Sequence, residues 1–399
     1  MKDKKIKVVV GITNSADSKV AAYLLNRQGY EVLAVTFLYS PKSNKSGGHH
    51  TSTLNGINYK CDIRDTKDIK NFCQKVGIPH LGFFSYDEFR DSVIDPCIAY
   101  RLKSASDNPC FSCSRLTLTL LMEKAKELDA DFISTGHYAK VHFSQTAKSY
   151  FLNAANDLIS DQSFLLAKVS QNILSKLILP LGDLRKVEVK KIATRQSWEE
   201  PTEEKVSSCL NGDSFNEYIS HNVAPSLLKE GNVMFFHDDL NIGTHEGLHL
   251  QRFGESFIGN LYQTTAQGDY VVVDINRYNG NVYVEKSSLI FCKRIFLNDV
   301  NLRRTAVRIK PKPIIVRVEG DPKTYSAIIH FKNNDSALII LDKKINKLFA
   351  SGTHVTIYEE LLGGRLSVLG SGRVKYEAKF LEIDNGQDNG EKKVADFEF

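Results

Sequence analysis

The sequence predicts an α/β protein with a Rossmann-like first part, built on a parallel sheet, and an all-β, barrel-like C-terminal part. Between residues 6 and 140, apolar β-type runs alternate with helix-like segments, and this alternation is typical of βαβ units. From about residue 213 onward, short β-type runs are separated by turn residues, which indicates a sandwich or a barrel. A length of 399 residues is enough for two or three such domains.

Apolar periodicity assigns the individual elements in order. Gly77 follows a helical pattern as a C-cap residue would, the polar stretch Pro41–Gly56 is expected to be a mobile loop, and residues 385–399 are expected to be loosely held. The first part is predicted to contain strands at Ile6–Val10, Glu31–Tyr39 and Asp131–Thr135 and helices at Ser18–Gln28, Asp65–Val76, Leu116–Leu128 and within 183–200. The later part is predicted to contain strands at Val271–Asp274, Val282–Lys286, Ile314–Val318, Ala327–Phe331, Val355–Tyr358 and Leu366–Val368.

Composition limits the class of protein. The net charge of +5 is mildly basic, which is compatible with a polyanionic partner without identifying one. The sequence has no apolar run near the roughly 18 residues that span a bilayer and no signal-peptide pattern, so we expect a cytoplasmic protein without membrane contact. Its seven cysteines are then expected to be reduced thiols, metal ligands or catalysts rather than structural disulfides.

The segment GITNSADS, Gly11–Ser18, connects a predicted strand to a predicted helix. In doubly wound sheets this turn often binds phosphate, because the free N–H groups and the dipole of the helix N-terminus favour an anion. Ser18 or Asp17 can cap the helix, and Thr13 and Ser15 add hydroxyls. The alternative interpretation is an ordinary N-capped helix.

The segment NPCFSCSR contains a CxxC pair, Cys110 and Cys113, and a further cysteine, Cys209, lies far away in SSCLNG. Such a pair indicates a metal site, a redox pair or a coincidence of composition. A structural zinc site usually has four ligands, and the sequence offers no second CxxC. A nucleophilic thiol needs a neighbour that favours the thiolate, such as Arg115 or a helix N-terminus.

Two further polar segments follow. In STGHYAKV, Gly136 permits a close backbone approach, and His137 is either a ligand contact or a structural histidine at a strand end. In SDQSFLL, Asp161 and Gln162 are either surface polar residues or RNA contacts.

Taken together and in this order, these segments resemble the tRNA 2-thiouridylases, enzymes that thiolate the wobble uridine, U34, of certain tRNAs. The resemblance extends over essentially the full length, and collinear matches of this number indicate common descent. It implies an ATP-pyrophosphatase-type thiolase domain at 1–212, a small central domain at 213–282 and a β-barrel-like domain at 283–399. The remaining matching segments are LPLGDLRKVEV (Leu179–Val189), SSCLNG around Cys209, HEGL (His245–Leu248) and VLGSG (Val368–Gly372).

The resemblance also implies a reaction. ATP, with Mg²⁺, would adenylate the C2 oxygen of uridine, and a persulfide on Cys209, loaded by a sulfur-donor protein, would deliver sulfur to C2. Cys113 would release the sulfide or form a disulfide with Cys209, and the target base would leave its stack. The implied nucleotide contacts are Gly11, Ile12, Thr13, Asn14, Ser15, Ala16, Asp17, Ser18, Phe37 and Gly136. The implied tRNA contacts are Asn108, Pro109, Cys110, His137, Ser160, Asp161, Gln162, Lys310 and Pro311.

The sequence departs from the family at several of these positions. The two loop glycines of the family are Asn14 and Ser15, and serine adopts left-handed geometry less readily than asparagine, so weakened ATP binding is expected. The Lys before Asp-Gln is Ser160, the Asp-Ser pair before the second cysteine is absent, and the late Pro-Gly-Gln is Ser351–Thr353.

Cys110 stands where the family has Asp. Cys110, Cys113 and Cys209 could therefore hold a [4Fe–4S] cluster with one open iron, as in related ATP-dependent thiolases. Alternatively, Cys110 is a spare thiol. Two other function classes stay open: a non-catalytic tRNA-binding paralogue with a decayed nucleotide loop, and a sulfur-handling or redox protein that acts without RNA.

Overall fold

The computed structural model describes residues 5–39, 53–54, 57–58, 66–198, 213–262, 270–303, 311–376 and 382–383. Cys209, Lys310, the 385–399 tail and nearly all of Pro41–Gly56 lie outside these residues. The chain divides into two compact units, each made of several segments. The first comprises Met1–Cys97, Pro109–Tyr218 and Glu360–Val368, and the second comprises Ile98–Asn108, Ile219–Glu359 and Leu369–Phe399. The three-domain boundaries given by the resemblance stay a prediction.

Residues 5–222 contain both β-strands and α-helices. The strands are β1 Lys7–Gly11, β2 Glu31–Leu38, β3 Thr53–Leu54, β4 Ile57–Asn58, β5 His80–Phe84, β6 Phe132–Ser134, β7 Ala139–Ser144, β8 Ser149–Ala154 and β9 Leu177–Ile178. The α-helices are α1 Ala16–Arg27, α2 Thr66–Val76, α3 Tyr86–Phe89, α4 Asp95–Leu102, α5 Pro109–Glu127, α6 Gln171–Leu174, α7 Lys186–Arg195 and α8 Asp213–Asn222, with a π-helical turn at Arg90–Ile94 and a 3-10 turn at Ser163–Leu166.

A five-stranded parallel sheet organises the first unit, in the order β5-β2-β1-β6-β9. The chain builds outward from β1 to β5, then returns to the other side of β1 with β6. The boundary between β1 and β6 is therefore the topological switch point, where doubly wound sheets bind ligands beyond the carboxyl ends of the strands. The loops that follow β1 and β6 meet there.

The valines of β1 pack on both faces of this sheet because alternate side chains point in opposite directions. Val8 and Val10 belong to a core with α1, α2 and α7. On the opposite face, Leu121 of α5 lies against Gly11, where an added Cβ would meet its side chain at 3.0 Å. The predicted parallel-sheet α/β fold is thus confirmed, and β1 and α1 both contribute side chains to its core.

The second unit is predominantly β. Its strands are β10 Gly231–Phe235, β11 Asn241–His245, β12 Asn260–Leu261, β13 Tyr270–Asn276, β14 Asn281–Lys286, β15 Ile290–Leu302, β16 Lys312–Val318, β17 Thr324–Phe331, β18 Ala337–Ile345, β19 His354–Leu361, β20 Arg365–Val374 and β21 Glu382–Ile383, with 3-10 turns at Pro225–Leu227, Leu248–Leu250 and Ser287–Leu289. The ends of β19 and β20 that face each other across their turn fall in the first unit.

Two sheets form in this unit. One has the order β12-β11-β10-β14-β13 around its own apolar core. In the other, β15, β18, β17, β16, β19 and β20 follow one another, and the pairing of β20 with β15 closes a six-stranded barrel. Closure leaves no edge within that ring, and the barrel-like C-terminal part is confirmed.

All of the predicted strands are present, and their ends shift by up to three residues except in β20, which continues six residues beyond the predicted end to Val374. Helix α5 differs more, because it begins at Pro109 rather than Leu116. Proline at the first helical position is well suited to starting a helix. The residues that follow it, Cys, Phe and Ser, are weak helix formers, so the apolar periodicity did not indicate a helix there. Cys110 and Cys113 therefore lie inside the first turns of α5 and not before it.

Candidate active site

The loop between β1 and α1 is a cluster of hydroxyl groups at the switch point. Thr13 Oγ1 donates to Ser15 Oγ at 3.0 Å, and Ser18 Oγ lies 3.2 Å from Ser15 Oγ and donates to the Thr13 carbonyl at 3.0 Å. Ser15 is the N-cap of α1, since its Oγ accepts from the Ser18 N–H at 3.3 Å. The prediction of Ser18 or Asp17 as the cap was wrong, because the helix begins at Ala16, nearer the strand than expected.

Asn14 and Ser15, which replace the two loop glycines, fit the loop without backbone strain. Ser15 has φ −68° and ψ 145°, and neither residue is among the described non-glycine residues with positive φ. The expectation that left-handed geometry is needed here was therefore wrong. Asn14 accepts from the Nζ of Lys19 at 2.7 Å, and Lys19 is only 6 % exposed. A buried cation thus reaches back from α1 to the loop.

The Asp17 carboxylate is held from two sides. Tyr138 donates its hydroxyl to Asp17 Oδ1 at 2.7 Å, and Lys186 Nζ lies 2.5 Å from Oδ2. Lys186 also stands over the Tyr138 ring, 5.3 Å from its centre, a cation–π distance. These contacts tie α1, the segment after β6 and the start of α7 to one carboxylate.

Gly136 allows the two loops of the switch point to touch. A Cβ at this position would lie 2.8 Å from the Ser18 nitrogen and 2.9 Å from the Asp17 carbonyl carbon. Both are backbone atoms of α1 and cannot rotate away. Only glycine fits at position 136. The predicted close backbone approach at Gly136 is therefore confirmed.

His137 links the segment after β6 to α5, the helix that carries Cys110 and Cys113. Its Nδ1 lies 2.7 Å from Thr135 Oγ1, and its Nε2 lies 3.3 Å from Ser114 Oγ, the residue after Cys113. Burial lowers the pKa of His137 to about 4, although Asp17 opposes the shift. The imidazole is therefore neutral near pH 7 and can donate through one nitrogen only.

The thiols of Cys110 and Cys113 lie on α5 three residues apart, on the same face of the helix. Both residues are half-buried, while Phe111 and Ser114 between and beside them are buried. Phe111 packs edge-on against Phe164 at 5.7 Å. Two thiols in the first turns of a helix stand where the dipole favours a thiolate.

The SDQSFLL segment forms a braced turn. Asp161 is 4 % exposed and its Oδ1 accepts from the Ala155 and Ser163 N–H groups at 2.9 and 3.2 Å. Gln162 Oε1 accepts from the Tyr138 N–H at 3.0 Å. Asp161 is thus a buried group rather than a surface polar residue, and contact of these side chains with tRNA stays a prediction.

The remaining predicted site residues are dispersed. Phe37 is 5 % exposed within β2 and packs 6.3 Å from Phe83. Pro311 is exposed in the second unit, directly before β16. Within the described residues, no group of three or more His, Cys, Asp or Glu side chains is placed to hold a metal ion; Cys209, the third predicted cluster ligand, lies outside them.

Five polar residues of the site were not among the predicted ones: Lys19, Ser114, Thr135, Tyr138 and Lys186. Tyr138 and Lys186 stand within the quoted segments STGHYAKV and LPLGDLRKVEV, so the motif matches could have found them. Their partner Asp17 is 121 and 169 positions away, and pairings over such separations leave no periodic signal in a single sequence.

The chain is similar to known proteins over most of its length. Residues 6–209 match the family described as the tRNA methyl transferase HUP domain. A tRNA-specific 2-thiouridylase MnmA of Treponema denticola is 32 % identical over 305 residues, 74 % of this chain and 78 % of that protein.

The chain belongs to the tRNA-specific 2-thiouridylase family. Members of this family are sulfurtransferases. The 2-thiouridylase of Clostridioides difficile is 26 % identical over 362 residues, 88 % of this chain and 95 % of that protein. That of Malacoplasma penetrans is 32 % identical over 257 residues, 62 % of this chain and 68 % of that protein. In the described part of the chain, every helix is too short or too polar to cross a bilayer; a cytoplasmic location stays a prediction.

Proposed function

We propose that this chain is an ATP-dependent tRNA-uridine 2-sulfurtransferase that thiolates C2 of the wobble uridine. One observation carries the proposal. Within the first unit, His137 joins the segment after β6, which touches the nucleotide-type loop through Gly136, to Ser114 beside Cys113. The β1–α1 loop and the cysteine-bearing helix α5 are thus connected through hydrogen bonds and backbone contacts in the first unit. The chain that carries them belongs to the 2-thiouridylase family.

The residues of the β1–α1 loop fit the pyrophosphate of ATP. The N-terminus of α1 supplies N–H donors and a positive dipole end, and Lys19 adds a buried cation that is held by a neutral amide oxygen of Asn14. The Ser15 hydroxyl, however, accepts from the Ser18 N–H, which is one of the donors an anion would use. These features support ATP binding. One donor of α1, the Ser18 N–H, would be shared between the phosphate and the N-cap Ser15.

The chemistry divides into activation and transfer. The uridine O2 attacks the α-phosphorus of ATP, pyrophosphate leaves, and C2 becomes bonded to a good leaving group, AMP. Bound Mg²⁺ would neutralise the phosphate charge in this step. The terminal sulfur of a Cys209 persulfide then attacks C2, and AMP departs with the former O2.

Cys113 completes the transfer. Its thiolate attacks the Cys209 sulfur of the remaining S–S bond, so that a Cys113–Cys209 disulfide forms and the terminal sulfur stays on C2 as the thiocarbonyl. An external thiol reductant then returns both cysteines to the reduced state with two electrons. His137, neutral near pH 7, does not supply a cation but holds Ser114 and so the second turn of α5.

Cys110 supports a second route on the same scaffold. Its thiol lies on the same face of α5 as Cys113, and with Cys209 the set would supply the three thiolates of a [4Fe–4S] cluster with an open iron. Anaerobic purification followed by iron and acid-labile sulfide assays separates the routes. Iron near zero in active protein rejects the cluster, and about four irons per chain with loss in Cys110→Ala supports it.

The test of the proposed function uses the purified chain with unmodified tRNA, ATP and a small-molecule persulfide, whose outer sulfur can pass to the Cys209 thiolate with release of the parent thiol. We expect 2-thiouridine in the tRNA by mass spectrometry and one AMP for each thiolation. Release of pyrophosphate that needs tRNA but not the persulfide would support separate activation, because AMP stays bonded to the base until sulfur attacks C2. tRNA binding without AMP formation would instead favour the non-catalytic paralogue, and absence of tRNA binding would favour a redox protein.

A further inference from the structure

We propose that Thr36 and His80 are positioning residues for the β1–α1 loop. They act through a chain of hydrogen bonds that fixes the peptide group between Ile12 and Thr13, at the start of the loop. Neither Thr36 nor His80 belongs to the predicted catalytic or binding set, and all of the residues involved lie in the first unit. The consequence for ATP binding rests on the proposed function, whereas the hydrogen-bond geometry does not.

The Ile12–Thr13 peptide group is held at both of its ends. Its carbonyl accepts from Thr36 Oγ1 at 3.0 Å, and its N–H donates to Ser18 Oγ at 3.0 Å. The Ile12 N–H donates to the Val35 carbonyl at 2.8 Å, which ties the same residue to β2. Because a peptide group is planar, the direction of its carbonyl also sets the direction of its N–H. The Thr36 hydroxyl therefore helps to aim the Thr13 N–H at Ser18.

Thr36 has a single hydroxyl proton, and this decides the role of His80. Thr36 is 2 % exposed, and its hydroxyl donates to the Ile12 carbonyl, which can only accept. His80 Nε2 lies 2.9 Å from the same Oγ1. Since the hydroxyl has already given its proton to Ile12, it can only accept from His80. The Nε2 atom of His80 must therefore carry a proton.

The other ring nitrogen of His80 agrees with this assignment. Burial, together with Lys70, lowers the pKa of His80, so the imidazole is neutral near pH 7 and carries one proton. With that proton on Nε2, Nδ1 has none to donate. Within the described residues, Nδ1 of His80 is buried and has no hydrogen-bond partner. A proton on Nδ1 would be buried without an acceptor, which costs more than an unpaired lone pair.

The donors follow one another across three neighbouring strands of the sheet, from β5 through β2 to the end of β1. His80 donates to Thr36, and Thr36 donates to Ile12. Removal of the Thr36 hydroxyl would leave the buried Ile12 carbonyl without this donor, and an unsatisfied buried carbonyl is costly. The peptide group would then turn toward another partner, and the Thr13 N–H would turn with it.

The experiment uses the purified full-length chain and pairs each loss with a conservative variant. Thr36→Val keeps the shape of the side chain and removes the hydroxyl, while Thr36→Ser keeps the hydroxyl. His80→Phe removes the Nε2 donor, while His80→Gln keeps an N–H donor. Ser104→Ala is the matched control, because Ser104 is fully buried in the second unit and its Oγ likewise donates to a backbone carbonyl, that of Leu248, at 3.1 Å.

Three quantities are measured: the dissociation constant of ATP by calorimetry, amide exchange of residues 12–18 by mass spectrometry, and the tautomer of His80 by 15N NMR. Selective labelling of histidine gives the NMR signals, and His80→Gln assigns the signal of His80. We expect the Nε2–H tautomer in the unaltered chain.

We expect Thr36→Val to weaken ATP binding about tenfold and to speed exchange of residues 12–18 by a similar factor, the effect of leaving a buried carbonyl unpaired. Thr36→Ser should restore most of both. His80→Phe should weaken ATP binding about threefold, since Thr36 can still donate to Ile12, and His80→Gln less. Ser104→Ala should leave ATP affinity and the exchange of residues 12–18 unchanged.

The Nδ1–H tautomer of His80 would overturn the proposal, because Thr36 would then have one proton for two acceptors. Unchanged exchange of residues 12–18 in Thr36→Val would also overturn it, and so would an equal change in Thr36→Ser or Ser104→Ala. If Thr36→Val does not fold, His80→Phe against His80→Gln decides alone. Absence of ATP binding in the unaltered chain counts only against the proposed function, since amide exchange and the tautomer are measured without ATP.

Discussion

The hydroxyl of Tyr138 donates a 2.7 Å hydrogen bond to Oδ1 of Asp17, joining the segment after β6 to the first turn of α1. Lys186 takes the other carboxylate oxygen. An anionic side chain at a helix N-terminus would repel a phosphate, but two donors shared in this way neutralise and orient it. The pair is therefore a support of the nucleotide loop.

Removing this hydroxyl tests that support. We expect Tyr138→Phe to lower the free energy of unfolding by about 2 kcal/mol, since a hydrogen bond to a charged group is lost, and to weaken ATP binding several-fold. Thermal unfolding and calorimetric ATP titration measure the two effects. Tyr23→Phe is the control, because the Tyr23 ring packs against Trp198 instead of the loop. The centres of these two rings are 5.1 Å apart. Equal losses in both variants would contradict a specific role of Tyr138.

The contact between the two loops of the switch point is tested at Gly136. Gly136→Ala places a Cβ 2.8 Å from the Ser18 nitrogen, so we expect a loss on the order of 3 kcal/mol in stability from overpacking and loss of measurable ATP binding. Gly82→Ala in β5 is the control, since nothing lies within 4 Å of its Cβ position. Normal ATP affinity in Gly136→Ala would show that the contact does not shape the loop.

The role of the Ser18 N–H, which Ser15 occupies as the N-cap of α1, is tested by removing the Ser15 side chain. Ser15→Gly removes the cap at a cost of about 0.3 kcal/mol and frees the Ser18 N–H for phosphate. We expect ATP to bind up to about tenfold more tightly, the value of one charge-assisted hydrogen bond. Ser170→Gly, which removes the cap of α6, should leave ATP affinity unchanged. Weaker ATP binding in Ser15→Gly would mean that the serine hydroxyl itself contacts the nucleotide.

The pH dependence of stability reports on Glu319. Burial raises the folded pKa of Glu319 to about 7, above the ordinary value of 4.5, so between these values the folded state binds more protons than the unfolded state. The contribution of Glu319 to stability should therefore fall as pH rises from 4.5 to 7. We expect Glu319→Gln to have little effect at pH 4.5 and to stabilise the chain on the order of 2 kcal/mol at pH 8, measured by urea unfolding.

Asp321 gives the opposite sign and serves as the control. Although burial acts to raise its pKa, the Lys323 N–H, Tyr325 and Lys347 bring the pKa below the ordinary value. Its stabilising contribution is present above the unfolded pKa and is lost as pH falls. Asp321→Asn should therefore destabilise the chain at pH 8 and have less effect near pH 3. A Glu319→Gln variant that follows this same pattern would contradict the raised pKa.

The fold could be predicted where local patterns decide it. Val8–Val10 form a buried strand because the apolar run is bounded by a polar turn, and the strands of the barrel alternate as half-buried strands do. The β7–β8 hairpin was not foreseen, because His142 and Phe143 in β7 and Tyr150 and Phe151 in β8 give no strict alternation. The start of α5 was missed because its first turn contains poor helix formers after Pro109.

The site was foreseen in its motifs but not in its pairings. Gly136 and the hydroxyls of Thr13 and Ser15 stand where the segments placed them. The Asp107–Arg373 pair spans 266 positions, and its two members look like ordinary surface residues in the sequence. Such residues come together only in the tertiary fold, and no local rule anticipates their pairing.

The most direct test of the central claim is 2-thiouridine in tRNA from a thiolase-deficient strain, measured by mass spectrometry with and without this chain. The account predicts that the chain restores 2-thiouridine and that Cys113→Ala and Cys209→Ala each abolish it, while Cys73→Ala, a buried thiol in α2, does not. Absence of 2-thiouridine, although the chain is expressed and binds tRNA, would contradict the account. Full restoration by Cys113→Ala would contradict the assigned nucleophile.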